Sequence, residues 1–145
     1  MTNDDIRSFL QRFRHAWESQ DLKALVACYA EDCVVVSPIF STVKGRSQVE
    51  KTYTELFNAF ATQKVKLEDI VIGNEDPPRA VIVWNVQSTH VGEVFGMPAS
   101  GKRIDRTIAY ILTLRDGRIT KEVRIYDFTS MLIQLGVLRA KPAHG

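Results

Sequence analysis

Three residues in the second half of this sequence have side chains suited to proton-transfer chemistry: Asp127, Arg106 and His90. A carboxylate acts as general acid or base, a guanidinium holds it ionised or grips an oxygen, and an imidazole changes charge near neutral pH. The stretch from Arg103 to Asp127 is what would bring the first two together. It consists of two alternating, β-branched runs joined by Asp116-Gly117. That dipeptide is the strongest short-range hairpin signal, because a type I′ turn needs positive φ at both central residues. A two-residue loop sets Arg115 opposite Arg118 and fixes every later pair. One face then carries Leu114 with Ile119, Leu112 with Lys121, Tyr110 with Val123, Ile108 with Ile125, and Arg106 with Asp127. The other face carries Thr113 with Thr120, Ile111 with Glu122, Ala109 with Arg124, and Thr107 with Tyr126. The first face is mostly apolar and is expected to point inward, with the Cβ atoms of Arg106 and Asp127 ~5 Å apart.

An arginine that close lowers the pKa of a carboxylate, whereas apolar burial alone raises it. The register therefore predicts base-type work for Asp127. Each residue also has a plainer role. Asp127 precedes a short helix and can cap it through the N–H of Thr129 or Ser130. Arg106 can snorkel at a cavity mouth or neutralise Asp127. His90 shares parity with Trp84 and Val86 and can reach that mouth, or serve as a hydrogen-bonded structural residue. Tyr110 and Tyr53 sit in apolar stripes with hydroxyls that need partners, so each can orient a ligand or simply pack. Phe13, Trp17, Phe57 and Trp84 are expected in the core, with some lining a substrate cavity. His15 and His144 have no partner in sequence and are expected in solvent.

Composition narrows the chemistry. At 145 residues the chain suits one domain, placed at 1–138 with a frayed tail over 139–145. A net charge of +2 with both signs interspersed forms no basic stripe, so no nucleic acid partner is expected. No apolar run approaches the ~20 residues of a membrane span. The N-terminus lacks a secretory pattern, and the two cysteines, Cys28 and Cys33, are not at metal-ligand spacing. They are expected to pack as reduced small hydrophobes in a cytoplasmic protein. There is no metal constellation, phosphate loop, nucleophile elbow or Cys–His pair, so no cofactor is expected.

The elements that must position these groups are legible in the same way. Thr2 and Asp5 form a capping box ahead of a helix with Ile6, Phe9, Leu10, Phe13 and Trp17 on one face. Asp21 caps a second helix carrying Leu22, Leu25, Val26 and Tyr29. Cys33 to Val36 is a short strand ended by Ser37-Pro38. After a loop, Ser47 and Glu50 suggest a second capping box, opening a helix with Val49, Tyr53, Leu56, Phe57 and Phe60. Strands follow: one from Val65 with a bulge between Leu67 and Ile70, a turn at residues 74–78, then a long strand from Arg79 to Val91. Gly92 to Lys102 connects to the hairpin, and Phe128 to Leu135 is a closing helix with Gly136 at its end. Helices first and a strand meander afterwards predict an α+β fold, a cone of curved antiparallel sheet wrapped by N-terminal helices.

This order of elements resembles the nuclear-transport-factor-2-like superfamily, an α+β barrel of the cystatin-like kind. Within it the chain is similar to the SnoaL-like polyketide cyclases. The resemblance rests on Tyr29-Ala30-Glu31-Asp32, Thr89-His90-Val91-Gly92-Glu93 and the segment Gly96 to Lys102. It rests also on Arg115-Asp116-Gly117-Arg118-Ile119, and on Asp127 with Gln134-Leu135-Gly136. It implies that Asp127 is the counterpart of the cyclases' acid/base aspartate. Two positions depart. Where ketosteroid-isomerase relatives carry their base this chain has Ser37, which argues against steroid isomerisation. Where cyclase relatives often carry His-Trp it has Glu122-Val123.

The first functional expectation is a cofactor-independent acid/base enzyme of cyclase or isomerase type. Its substrate would be a small hydrophobic, carbonyl-bearing molecule, with Asp127 moving the proton and Arg106, His90 or Tyr110 orienting it. Limonene-epoxide-hydrolase relatives suggest a second, hydrolysis with Asp127 and Arg106 activating water. The third is a non-catalytic ligand-binding or dimerisation module. A deep cavity with Asp127 at its wall favours the enzyme, and a residue-filled cone favours the module. A homodimer through the outer sheet face is expected from the resemblance.

Overall fold

The computed structural model describes residues 1–139; residues 140–145 lie outside it, and with them His144 and most of the predicted tail. Helix α1 spans Asn3–Glu18, α2 Leu22–Val26, α3 Arg46–Ala59 and α4 Phe128–Leu135. The strands are β1 Tyr29–Ser37, β2 Ser41–Lys44, β3 Phe60–Gly73, β4 Arg79–His90, β5 Arg103–Arg115 and β6 Arg118–Ile125. They form one curved, unclosed sheet in the order β2-β1-β6-β5-β4-β3. Every neighbouring pair is antiparallel except β1 with β6, which run parallel, so the expected antiparallel sheet is mixed at that one seam.

Local signals set most of the ends. The Thr2 hydroxyl accepts from the Asp5 N–H at 3.1 Å, while Asp5 accepts from the Thr2 N–H at 2.8 Å. Asp21 caps α2, and Gly136 closes α4 in the left-handed conformation. Asp116 and Gly117 both have positive φ, as the two-residue turn requires. The predicted irregularity between Leu67 and Ile70 is present where Leu67 pairs Trp84 and Asp69 pairs Val83. Three local expectations are corrected. Tyr29 does not belong to the second helix, which ends at Val26, but opens β1, four residues ahead of the expected strand start at Cys33. Gly45, not Ser47, precedes α3, and no side chain caps that helix. The region before it is not a plain loop: Ser41–Lys44 pairs with β1 as an edge strand.

The consequential correction is in the central hairpin. Leu114 does face Ile119 and Arg115 does face Arg118, but Thr113 pairs with Lys121, leaving Thr120 as the extra residue of a bulge. The Thr120 hydroxyl donates to the Thr113 carbonyl at 3.2 Å, which seats the bulge. Because side chains alternate with period two, one inserted residue exchanges the faces of everything beyond it. Tyr110 therefore pairs with Arg124 rather than Val123, and Leu112 with Glu122 rather than Lys121. Glu122 and Arg124 go inside, while Val123 and Ile125 go outside.

Helices α1 and α3 cover the inner face. Phe13 contacts Trp84 and Tyr110, both at 5.5 Å between ring centroids, and Tyr29 at 6.3 Å, tying α1 to β4, β5 and β1. Trp17 meets Tyr53 and Phe57 of α3 edge-on. Such aromatic pairs bury large areas in orientations that fix the helix position.

Candidate functional site

The bulge builds the polar interior. Glu122 is fully buried, and its two oxygens accept from different partners. The Tyr29 hydroxyl donates to Oε1 at 2.5 Å, and Arg124 Nε donates to Oε2 at 2.5 Å. With Tyr29 committed to the carboxylate, the Tyr53 hydroxyl donates to Tyr29 at 2.5 Å, and Trp17 Nε1 donates to Tyr53 at 3.3 Å. The Arg124 guanidinium also lies 4.9 Å from the Tyr53 ring centre and 5.8 Å from that of Tyr110.

Burial controls the protonation of this set. It pushes the Tyr29 phenol well above its usual range, and the Glu122 charge adds to that. Tyr110 and Tyr53 are raised by burial as well, so all three stay neutral donors. For Arg124 burial alone would favour losing the proton, but Glu122 and the tyrosines outweigh it and hold the guanidinium charged.

Arg106 has no such partner. Its guanidinium stacks 4.8 Å from the Tyr126 ring centre, and Nη1 points at Met131 Sδ at 3.3 Å. The only ion pairs among the described residues are Lys66–Glu68 and Arg124–Glu122. Burial, and then the nearby Arg124 charge, lower the pKa of Arg106. Its Nε, together with Arg124 Nη2 and the Tyr110 hydroxyl, is buried without a hydrogen-bond partner. These three residues, with Ser37, Tyr126, Trp17 and Ile108, line one small void closed by Ile39, Phe40 and Leu56. Its volume is about 10 Å³, and a second void beside it, lined by Trp17, Phe57, Ser88 and Arg106, is equally small. Outside the closing side chains lies an open vestibule of about 520 Å³, walled by Ile39, Phe40, Leu56, Ala59, Val94 and Phe95, with Glu55 and Glu93 at its polar positions.

The sequence-predicted residues are distributed unevenly over this arrangement. Asp127 does not face Arg106. It is exposed, and its Oδ1 accepts from the Ser130 N–H at 2.8 Å as the N-cap of α4. The slipped register is the reason, since Arg106 now meets Tyr126 instead. His90 is buried at the far end of β4, where its Nδ1 accepts from the Ser100 N–H at 3.3 Å and lies 2.7 Å from the Ser100 hydroxyl. It packs on Phe60 and does not line the Arg106 void. Tyr110 and Trp17 do line that void, and Phe57 lines its neighbour. Phe13, Trp84 and Tyr53 are fully buried core residues and line neither. Ser37 also lines the void, with its Oγ accepting from the Phe40 N–H at 3.2 Å.

Sequence reasoning missed Glu122, Arg124, Tyr29 and Tyr126. Glu122, Arg124 and Tyr126 share parity, and a strand carrying two charges beside Val123 and Ile125 reads most simply with the valine and isoleucine inward. The preceding Thr120 is the only local cue to the reverse.

A family model described as SnoaL-like polyketide cyclase matches residues 7–135. No curated protein sequence matches. Among solved structures the chain is similar to AclR from Streptomyces galilaeus, provisionally named a hydroxylase: TM-score 0.82, 23% identity, covering 99% of this chain and 88% of that one. It is also similar to a protein of Xanthomonas campestris pv. campestris, provisionally named a polyketide cyclase: TM-score 0.78, 20% identity, coverage 91% and 97%. A provisionally named isomerase of Rhodopseudomonas palustris shares the fold at TM-score 0.75 and 14% identity, with coverage of 95% and 100%. These structures show the fold that the residues predicted, and the family match extends over nearly all of it. The chain belongs to the SnoaL-like polyketide cyclase family.

Proposed function

We propose that this protein is a cofactor-independent acid/base enzyme of cyclase or isomerase type, acting on a small hydrophobic molecule that carries a carbonyl group. The observation that carries the reading is the trio of unpartnered buried donors, Tyr110 Oη, Arg124 Nη2 and Arg106 Nε, around one void behind an apolar vestibule. Donors without acceptors in a dry site are costly unless something completes them. A carbonyl oxygen placed there accepts from Tyr110 and Arg124. As a proton leaves the adjacent carbon, charge develops on that oxygen, opposite Arg124, already oriented by Glu122, and the packed Tyr110 hydroxyl. Tyr110, kept protonated by burial, remains a hydrogen-bond donor to that oxygen, and the carboxylate that took the proton gives it back to a carbon of the enolate, which restores both groups. Glu122 is a positioning residue here, since both its oxygens are engaged. The carboxylates on the vestibule wall, Glu55 and Glu93, are the candidate proton acceptors.

The test is exchange of the acidic C–H protons of a panel of cyclic β-diketones and β-keto esters in D₂O, followed by proton NMR. The parent should accelerate exchange of at least one member, and Tyr110→Phe should slow it about 10²-fold with the fold intact. No acceleration on any member would remove the catalytic reading. A specific observation favours a second one: the cone is largely residue-filled and Asp127 is not on its wall, the condition set above for a non-catalytic ligand-binding module. The epoxide-hydrolysis reading has no comparable support, because no carboxylate adjoins Arg106 among the described residues.

A further inference from the structure

Among the described residues, the inner face of the cone holds one carboxylate, Glu122, and two guanidiniums, Arg124 and Arg106. Glu122 is fully used by Arg124 and Tyr29. One positive charge is thus left beside the void, with an aromatic face and a thioether as its nearest company. An unpaired charge in a low-dielectric site is the costly case, whereas adding an oppositely charged group with matching hydrogen bonds relieves it. Of the six buried side-chain atoms that lack a partner among the described residues, two guanidinium nitrogens and a phenol belong to residues lining the same small space; the others, Arg14 Nε, Trp84 Nε1 and His90 Nε2, lie outside it. A planar fork of donors suits a planar carboxylate. The void is only about the size of one water molecule, so it receives a carboxylate only when its apolar closure opens, while the adjoining vestibule of about 520 Å³ has room for a ring system. The two spaces share Ile39, Phe40 and Leu56, so that opening requires these apolar side chains to turn aside.

We propose that the ligand of this site is an aromatic or polycyclic acid, its carboxylate received by Arg106, Arg124 and Tyr110 in the inner void and its apolar body held in the vestibule between Phe40, Leu56 and Phe95. This rests on the reading above that the cone is the ligand site, but on no reaction there. The charge selects the acid, and the apolar wall selects a flat hydrophobic body. A neutral ketone of the same shape satisfies the donors but leaves the Arg106 charge unmatched.

The experiment is calorimetric titration of the full chain with benzoate, 2-naphthoate and their neutral amides. 2-Naphthoate should bind at least tenfold more tightly than 2-naphthamide, and more tightly than benzoate. Arg106→Met and Arg106→Gln should abolish the preference for the acid, and Arg106→Lys should retain part of it. Circular dichroism checks that each variant is folded. Equal affinity for acid and amide, an undiminished preference in Arg106→Met and Arg106→Gln, or no saturable binding of either acid would overturn the proposal. Acid binding without proton exchange leaves this inference standing and removes the catalytic reading. Exchange on neutral ketones without a preference for acids does the opposite.

Discussion

Glu122 and Asp127 are two carboxylates on one segment whose surroundings make their removal unequal. Glu122→Ala strips the counterion from a buried Arg124, a change expected to cost ~3–5 kcal/mol. Asp127→Ala removes a solvent-exposed helix cap, worth ~1 kcal/mol. Urea denaturation of both variants would rank them, and equal losses would contradict the buried pair. Arg106→Met changes sign between the two readings. Facing Asp127, its loss would strand a carboxylate and weaken folding. With no carboxylate beside it, the variant is expected to raise Tm, each kcal/mol being ~2–4 °C in a chain of this size. The tyrosines supply a pH test. All four are raised by burial above the ordinary 10.0, Tyr126 included. A phenol raised in the folded state contributes stability that is complete below pH 10 and is lost as pH climbs through the folded values. Phenolate absorbance should therefore stay flat to about pH 10 and then rise together with unfolding. Phenolate forming at pH 10 with the near-ultraviolet circular dichroism unchanged would contradict the buried network.

At the scale of elements, the junction of α3 with β4 shapes the vestibule. The Val91 and Gly92 N–H groups donate to the Ala59 carbonyl at 2.8 and 3.1 Å, pinning the end of the helix. A Cβ on Gly92 would lie 2.0 Å from the Asn58 carbonyl oxygen, so backbone itself must move. Gly92→Ala is accordingly expected to destabilise by ~1–3 kcal/mol and to widen or distort the vestibule wall. Thermal denaturation together with 2-naphthoate titration would show both effects. A neutral outcome would mean the connection yields easily. The elements around this junction were readable in advance because caps, turns and hydrophobic periodicity are local. Edge strand β2 was not, since Ser41–Lys44 has little apolar pattern and owes its conformation to pairing with β1.

Across the whole molecule, the bulge also remakes the outer face. The expected exterior mixed Ile111 and Ala109 with Glu122, Arg124 and Tyr126. In the structure Val36, Val123, Ile111, Val81 and Val71 lie in one lateral row across β1, β6, β5, β4 and β3, with Ala109 and Ile125 beside them. Val71 and Ile125 are more than half exposed. A contiguous apolar belt on a sheet is a recognition surface or a liability. We propose that a second copy of the chain covers it, pairing sheet against sheet. Light scattering at micromolar concentration should give twice the mass of one chain, and Ile111→Glu should reduce it to one. A parent that scatters as a single chain would refute this assembly.

The residues alone determined the helices, the tight turn at Asp116-Gly117, the long strands and the α+β class. Each follows from hydrogen-bonding chemistry and periodicity acting over a few neighbours. The family resemblance is carried by motifs along those elements, and the family model over residues 7–135 bears it out. What only the tertiary structure decided is which face of β6 looks inward. Inserting Thr120 costs little locally, and the hydrophobic pattern favours the other parity, with Val123 and Ile125 inside. The opposite choice prevails because Tyr29, arriving from β1, satisfies Glu122 alongside its strand neighbour Arg124, and no residue within β6 encodes where Tyr29 stands. Instead of Arg106 facing Asp127 at the rim, the structure holds a buried Glu122–Arg124 pair, because the Tyr29 hydroxyl that completes Glu122, and Tyr53 and Trp17 behind it, come from segments distant in sequence.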